Sequence, residues 1–247
     1  MVALPKQPNK SLIDGILCLQ AVLSRSEPVG VAQVAAELNM ETTRVHRLLR
    51  TLAASGMLHW TDKRKYAAGP AVPVLATQTM HASGFYKAIG PMASLHNELN
   101  MTTAMGLLWN RSVSFLYHAK PDEPLTTAIS SLDVWPATVS GLGIALLALL
   151  PDETVVELYT GRDIPKFDSV KHLQEKLSEV RECEYAIHDN TLAISIEVNF
   201  MAAIGFSSPK VSPKTVSKYL PRLLQCKEEI LQELSSESNK AHDKPIY

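Results

Sequence analysis

Cysteine is scarce: Cys18, Cys183 and Cys226 are odd in number and far apart, which excludes a disulfide framework. Each lies in an apolar periodic stretch, so a reducing compartment is expected. Long hydrophobic runs are missing too. The richest, IALLALL, is far too short to span a bilayer, and MVALPKQPNK at the start lacks the apolar core of a secretion signal. The expected location is the cytoplasm, with no membrane partner. A net charge of -1, with 46% hydrophobic and 20% charged residues, excludes a disordered or generally polyanion-binding chain. Catalytic motifs are equally scarce. SGLG at 140–143 is neither a GxSxG elbow nor a dinucleotide loop, since Leu146 stands where a third glycine would be. No phosphate-binding loop and no HExxH occur, and the eight histidines are scattered singly. Neither an enzyme nor a cofactor or metal is expected. The weaker alternative, a thiol enzyme, would rest on Cys183, where Glu182 and Glu184 put negative charge beside the sulfur, the opposite of what a thiolate nucleophile needs.

The charge that is present is uneven. Residues 1–70 carry nine Lys and Arg against five acids, a net +4, which leaves 15 against 20, a net -5, for the rest. That asymmetry points to a nucleic-acid-binding module at the first end. SLIDGILCLQAVLS places Leu12, Ile16, Leu19 and Leu23 at helical spacing and predicts a helix over 11–24 with Ser11 as N-cap. VAQVAAELN predicts a second short helix with Val31, Val34, Ala35 and Leu38 on one face, and the polar break NMETT follows. In the third stretch, Val45, Leu48, Leu49 and Leu52 form an apolar stripe, while Thr42, Thr43, His46, Arg47 and Arg50 spread over the opposite side. SGMLHWTDKRKYAAG then alternates as two strands, 57–61 and 65–68, with Lys63, Arg64 and Lys65 at or beside the tip.

A charged helix face alone would most simply be a solvated one; the basic hairpin after it changes that reading. Three helices and such a hairpin predict a winged helix-turn-helix, whose third helix enters the major groove of double-stranded DNA while the wing touches phosphates. Thr43, His46 and Arg47 are the candidates for base edges, and Arg50, Lys63, Arg64 and Lys65 for phosphates, with Thr42 and Arg44 in the same interface. Glu41, an acid at the helix entrance, fits less well and is unassigned.

The first domain is expected over 1–69, a linker helix over 70–83, an α+β domain over 84–236, and a polar, disordered tail over 237–247. The linker should be largely helical after Pro73. Beyond it, residues 84–100 predict a helix with Ile89, Met92, Leu95 and Leu99 on one side. MTTAMGLLW and SVSFLYHA predict strands around the turn NR, and LTTAISS a third. VSGLGIALLALL, PDETVVELY with Asp152 as N-cap, and VKHLQEKLSEVREC opened by Ser169 predict helices. NTLAISIEV and FMAAIGFSS predict strands around a tight turn near Asn199, and a last helix starts at Ser212 and Pro213 with a kink at Pro221. This pattern predicts a central antiparallel sheet with helices packed on it. The acidic balance makes it a poor second nucleic-acid module, though such a domain can enclose a small molecule.

TTRVHRLLRTLAASGML followed by KYAAGPAV resembles the recognition helix, wing and linker start of the IclR family of bacterial transcriptional regulators, and the resemblance runs over nearly the full chain. It implies a winged helix-turn-helix joined to an effector-binding domain of GAF-like fold, assembled as a homodimer or homotetramer that represses or activates genes. It also implies a small-molecule effector, a carboxylate or an aromatic metabolite, near PATVSGLGIALLALLP, EYAIHDNTLAISIEV and AIGFSSP. The implied effector contacts are Trp109, Tyr117, Trp135, Thr138, Ser140, Gly141, Leu142, Gly143, Asp189, Thr191 and Ser207. The chain departs from the family pattern in several places. Ile144 replaces a usual lysine and Thr138 a frequent histidine; Thr191, Ser195 and Gly205 replace a cysteine, a proline and a serine. These departures keep open a winged-helix interaction protein whose second domain binds no effector.

Overall fold

The computed structural model describes residues 6–129, 134–197 and 201–235. The chain divides into two units, Met1–Ser83 and Gly84–Tyr247. In the first, α1 (Lys10–Leu23), α2 (Val31–Leu38) and α3 (Thr42–Ala54) precede a hairpin of β1 (Leu58–Trp60) and β2 (Tyr66–Ala68), then α4 (Ala71–Ala82).

α1 starts before Ser11 because Asn9 is the cap: its side-chain oxygen accepts the Leu12 amide at 3.1 Å. Its buried face also differs from the expected one. Leu12 and Ile16 are 62% and 44% exposed, whereas Asp14, Cys18, Ala21 and Val22 are buried. Cys18 and Val22 join Val34, Val45, Leu49, Leu58 and Tyr66 in the core, with Leu48 and Leu52 packed against it, so the α3 stripe is as expected. Asn39, left-handed at φ 50°, ends α2, and the Met40 amide returns to the Ala35 carbonyl to set the turn into α3. Backbone bonds between Val29 and Tyr66 in both directions attach a third short segment to the hairpin. α4 begins at Ala71, since Pro73 falls in its first turn, where a missing N–H costs nothing.

The second unit contains α5 (Ile89–Leu99), β3 (Thr102–Trp109), β4 (Ser112–Ala119), β5 (Val134–Pro136), α6 (Gly141–Ala148), α7 (Asp152–Tyr159) and α8 (Val170–Cys183). β6 (Ala186–His188), β7 (Thr191–Glu197), β8 (Met201–Ser207) and α9 (Pro213–Ser235) complete it. The strands form one antiparallel sheet in the order β5-β4-β3-β8-β7-β6. α6 packs across one face, and α5 and α9 pack on the other. Every residue of α6 is buried, covered by Leu173, Leu177 and Val180 of α8 and by Val155 and Tyr159 of α7.

Arg181 donates to the Ala148 and Leu150 carbonyls at 2.8 and 2.9 Å, satisfying groups that the end of α6 leaves open. It also pairs with Asp152 at 2.9 Å. Asp152 is therefore not the N-cap of α7, a position Pro151 holds; Ser169 does cap α8, accepting the His172 amide. Behind the sheet, Cys226 of α9 meets Met92 of α5 at 4.0 Å, and Arg222 pairs with Glu98.

A further expectation is corrected. Leu125–Thr127 is a 3-10 turn, not part of a strand, and the outer strand on that side is β5. β6 was not foreseen, because three residues are too few for a visible period. α9 runs through Pro221 as one helix. The end of LTTAISS, the turn near Asn199 and the tail 237–247 lie outside the described residues. Among the described residues no helix is long and apolar enough to cross a membrane.

Leu146 is completely buried at the centre of α6. Replacing it with alanine should cost about 2–5 kcal/mol of the second domain's stability, measured by urea unfolding. An unchanged midpoint would show that α6 is not the keystone of that core.

Candidate nucleic-acid interface and ligand cavity

α3 presents Thr42, Thr43, Arg47 and Arg50 to solvent, with His46 half-buried among them. Arg44 differs. Its guanidinium pairs at 2.5 Å with Asp14 of α1, whose side chain is only 8% exposed. The pair ties α1 to α3 and commits a charge that the sequence reading aimed at DNA. Arg50 lies near the hairpin, where its charge partly offsets the rise that burial imposes on the Tyr66 phenol.

The wing tip is built locally. The Thr61 hydroxyl donates to the Lys65 carbonyl at 3.2 Å and accepts the Lys65 amide at 3.3 Å, while Arg64 takes a left-handed conformation at φ 55°. Lys63 and Arg64 are exposed and Lys65 half-buried. Trp60, unassigned from sequence, is exposed beside them and packs edge-on against Tyr66 at 4.7 Å. Glu41 occupies the N-cap position of α3, but its side chain makes no capping bond.

The second unit holds a cavity of about 510 Å³ between the sheet and the start of α6. Its floor is the register pair Ala104 and Gly205, and one border is a row of hydroxyls, Thr102, Ser207 and Thr191, aligned across β3, β8 and β7. Thr191 and Ser207 bond each other at 3.1 Å. Phe115 and Trp135 flank one end, edge-on at 6.3 Å. The β6–β7 turn, His188 to Asn190, flanks another. There Asp189 pairs with Lys166 at 3.1 Å, and Phe167 stacks on His188. Burial is the main cause that pushes the His188 imidazole below its ordinary value, so it is neutral near pH 7.

Of the expected effector contacts, Trp135, Ser140, Leu142, Asp189, Thr191 and Ser207 line this cavity. Gly141 and Gly143 do not. They are glycines because α6 starts in close contact: a Cβ at Gly141 would lie 2.7 Å from the Thr191 methyl, and one at Gly143 would lie 2.1 Å from the Ala137 carbonyl oxygen. Thr138 is wholly buried and does not line the cavity, and Trp109 is 48% exposed at the end of β3.

Tyr117 faces the other side of the sheet, near Thr103 and Cys226. The cause is a β-bulge. Gly106 pairs with Phe115 but Met105 pairs with Tyr117, so Leu116 is unpaired and the alternation of β4 inverts past it. Past the bulge, His118, paired with Ala104, turns to the cavity, and Lys120 follows two positions on. Thr102, Phe115, His118, Lys120, His188 and Asn190 are thus lining residues that sequence reasoning missed; strict alternation predicts the wrong parity for two of them. Ile144 is completely buried. Among the described residues no three His, Cys, Asp or Glu side chains gather to hold a metal ion.

These two units define a class: a helix-turn-helix domain with a basic hairpin, followed by an α+β domain with a cavity. Residues 15–62 match the model of the IclR helix-turn-helix domain. A comparison with curated proteins gave no match. Among solved structures, a protein from Silicibacter sp. TM1040 assigned to the IclR transcriptional regulators is 16% identical, with 91% of this chain and 96% of that one covered and a TM-score of 0.76. An IclR transcriptional regulator from Alicyclobacillus acidocaldarius is 18% identical over 93% and 100%, at 0.69. An IclR homologue from Microbacterium hydrocarbonoxydans, complexed with 4-hydroxybenzoate, is 16% identical over 91% and 99%, at 0.63. The first unit therefore carries an IclR helix-turn-helix domain, and the whole chain has the fold of the IclR transcriptional regulators.

Burial pushes the thiols of Cys18 and Cys226 up to about 11 and about 12, while Cys183 is exposed at the end of α8. At pH 8, iodoacetamide should modify Cys183 alone in the native protein and all three cysteines after unfolding, as read by mass spectrometry. Rapid native modification of Cys226 would contradict the packing of α9 on the sheet.

Proposed function

We propose that the protein is a ligand-responsive, DNA-binding transcriptional regulator. The observation that carries this reading is the exposed polar and cationic face of α3 set beside a basic hairpin in a domain that matches the IclR helix-turn-helix model. Thr43, His46 and Arg47 meet base edges; Arg50, Lys63, Arg64 and Lys65 meet phosphates, with Thr42 at the helix entrance. Arg44 serves by holding α3 on α1 through Asp14, not by touching DNA. One short helix reads too few bases for useful selectivity, so two or more copies act together on an operator.

The cavity in the second domain is the sensor. A relative of the same fold is complexed with 4-hydroxybenzoate, which supports a small aromatic carboxylate as the effector class here. An effector that prefers one arrangement of the assembled chains shifts the spacing of paired recognition helices, and with it DNA affinity. Such a regulator acts in the cytoplasm and needs no catalytic step.

A second reading, a winged-helix interaction protein with an inert second domain, is favoured by one observation: the residue at the usual lysine position, Ile144, is buried in the core. A thermal-shift screen separates the two, since a ligand at 100 times its Kd adds about 2.7 kcal/mol and an inert domain gains nothing.

Fluorescence-anisotropy titration against DNA from upstream of the protein's own gene, beside a shuffled control, tests the leading reading. Arg47→Ala should cost about 1–3 kcal/mol and relax preference at one base position, whereas Lys63→Ala should weaken both fragments alike and lower the salt slope by about one. An Arg47→Ala variant with undiminished affinity would remove Arg47 from the interface.

A further inference from the structure

The bulge at Leu116 decides which wall of the cavity can hold charge. Past it, His118 and Lys120 turn toward the cavity and Tyr117 turns away. Among the described residues, Lys120 is the one Lys or Arg that lines the cavity. Its ion pair with Glu123 is long, 3.5 Å, and both side chains are about half exposed, so the pair holds the ammonium only weakly against a competing anion.

The other polar positions offer an anion no positive charge. Asp189 is paired with Lys166, His188 is neutral under Phe167, and Thr191 and Ser207 bond each other. The start of α6 is partly engaged in its own contacts. The Ser140 hydroxyl takes the Gly143 amide at 3.5 Å, and Gly141 is pressed against Thr191 too tightly for even a methyl group. Between Lys120 and that helix start lie the side-chain-poor floor of Ala104 and Gly205 and the rings of Phe115 and Trp135.

We propose that Lys120, with His118 beside it, is the anion-binding position of the cavity, and that the ligand is a flat apolar molecule whose single carboxylate points to the β4 end. This assignment rests on the cavity being the sensor site proposed above.

The test is calorimetric titration of the full-length protein with benzoate and with benzamide, its neutral counterpart. The native protein should bind benzoate about tenfold or more tightly than benzamide, the ratio expected from one charge-assisted hydrogen bond. Lys120→Gln should erase that preference by weakening benzoate alone, Lys120→Arg should restore it, and Tyr117→Phe, on the far face of the sheet, should leave it unchanged. A thermal melt of each variant confirms that it is folded. A Lys120→Gln protein that keeps its benzoate preference overturns the assignment. So does a native protein that binds benzamide as well as benzoate, or neither at millimolar concentration. In any of these cases the anisotropy titration with upstream DNA and the thermal-shift screen still decide the regulator reading by themselves.

Discussion

The second domain depends on the burial of a helix that has no polar side. Gly141–Ala148 is apolar all round, and such a helix can be stable in water only between two layers that cover it. The sheet is one layer, and α7 and α8 are the other. The cost of burying the carbonyls at its end is met by Arg181, which reaches two of them and is itself held by Asp152. The cavity follows from the same constraint. α6 descends onto the sheet at Gly141, where only a glycine lets it touch Thr191, and the space left over between its start, β5 and the hydroxyl row becomes the pocket.

A second constraint sets the chemistry of that pocket. A strand presents alternate residues to each face, so one unpaired residue exchanges the two sets for the remainder of the strand. Leu116 is that residue in β4. Without it a buried tyrosine would look into the cavity; with it, an imidazole and an ammonium do. The tyrosine instead fills the opposite face beside Thr103 and the α9 thiol, where burial pushes its phenol up. The character of the pocket, apolar floor and one basic end, is thus the product of a single insertion.

This also explains where the sequence was readable and where it was not. The stripe Val45, Leu48, Leu49 and Leu52 is long enough to show a helical period, and the hairpin residues bracket a polar tip; both appear in the structure. α1 misled because its buried side mixes Asp14, Cys18 and Ala21, so the more apolar spacing of Leu12 and Ile16 won although it faces water. Arg44 could not be separated from Arg47 by spacing, since its carboxylate partner lies thirty residues away on another helix. Six of the eleven expected effector contacts line it, three at the start of α6 and in the β6–β7 turn and three on β5, β7 and β8. His118 and Lys120 were invisible because a bulge leaves no trace in composition or period.

The two domains present different kinds of surface in one chain, one an exposed polar and cationic helix face beside a basic hairpin and the other a cavity between sheet and helix. The claim on which the functional reading turns is that α3 lies in the major groove. Methylation interference at guanine N7, an atom displayed only in that groove, on upstream DNA bound by the protein probes this most directly. Short clusters of guanines whose methylation blocks binding are the expected result. Interference confined to adenine N3 in the minor groove, with guanine N7 silent throughout, would mean that α3 does not read the DNA.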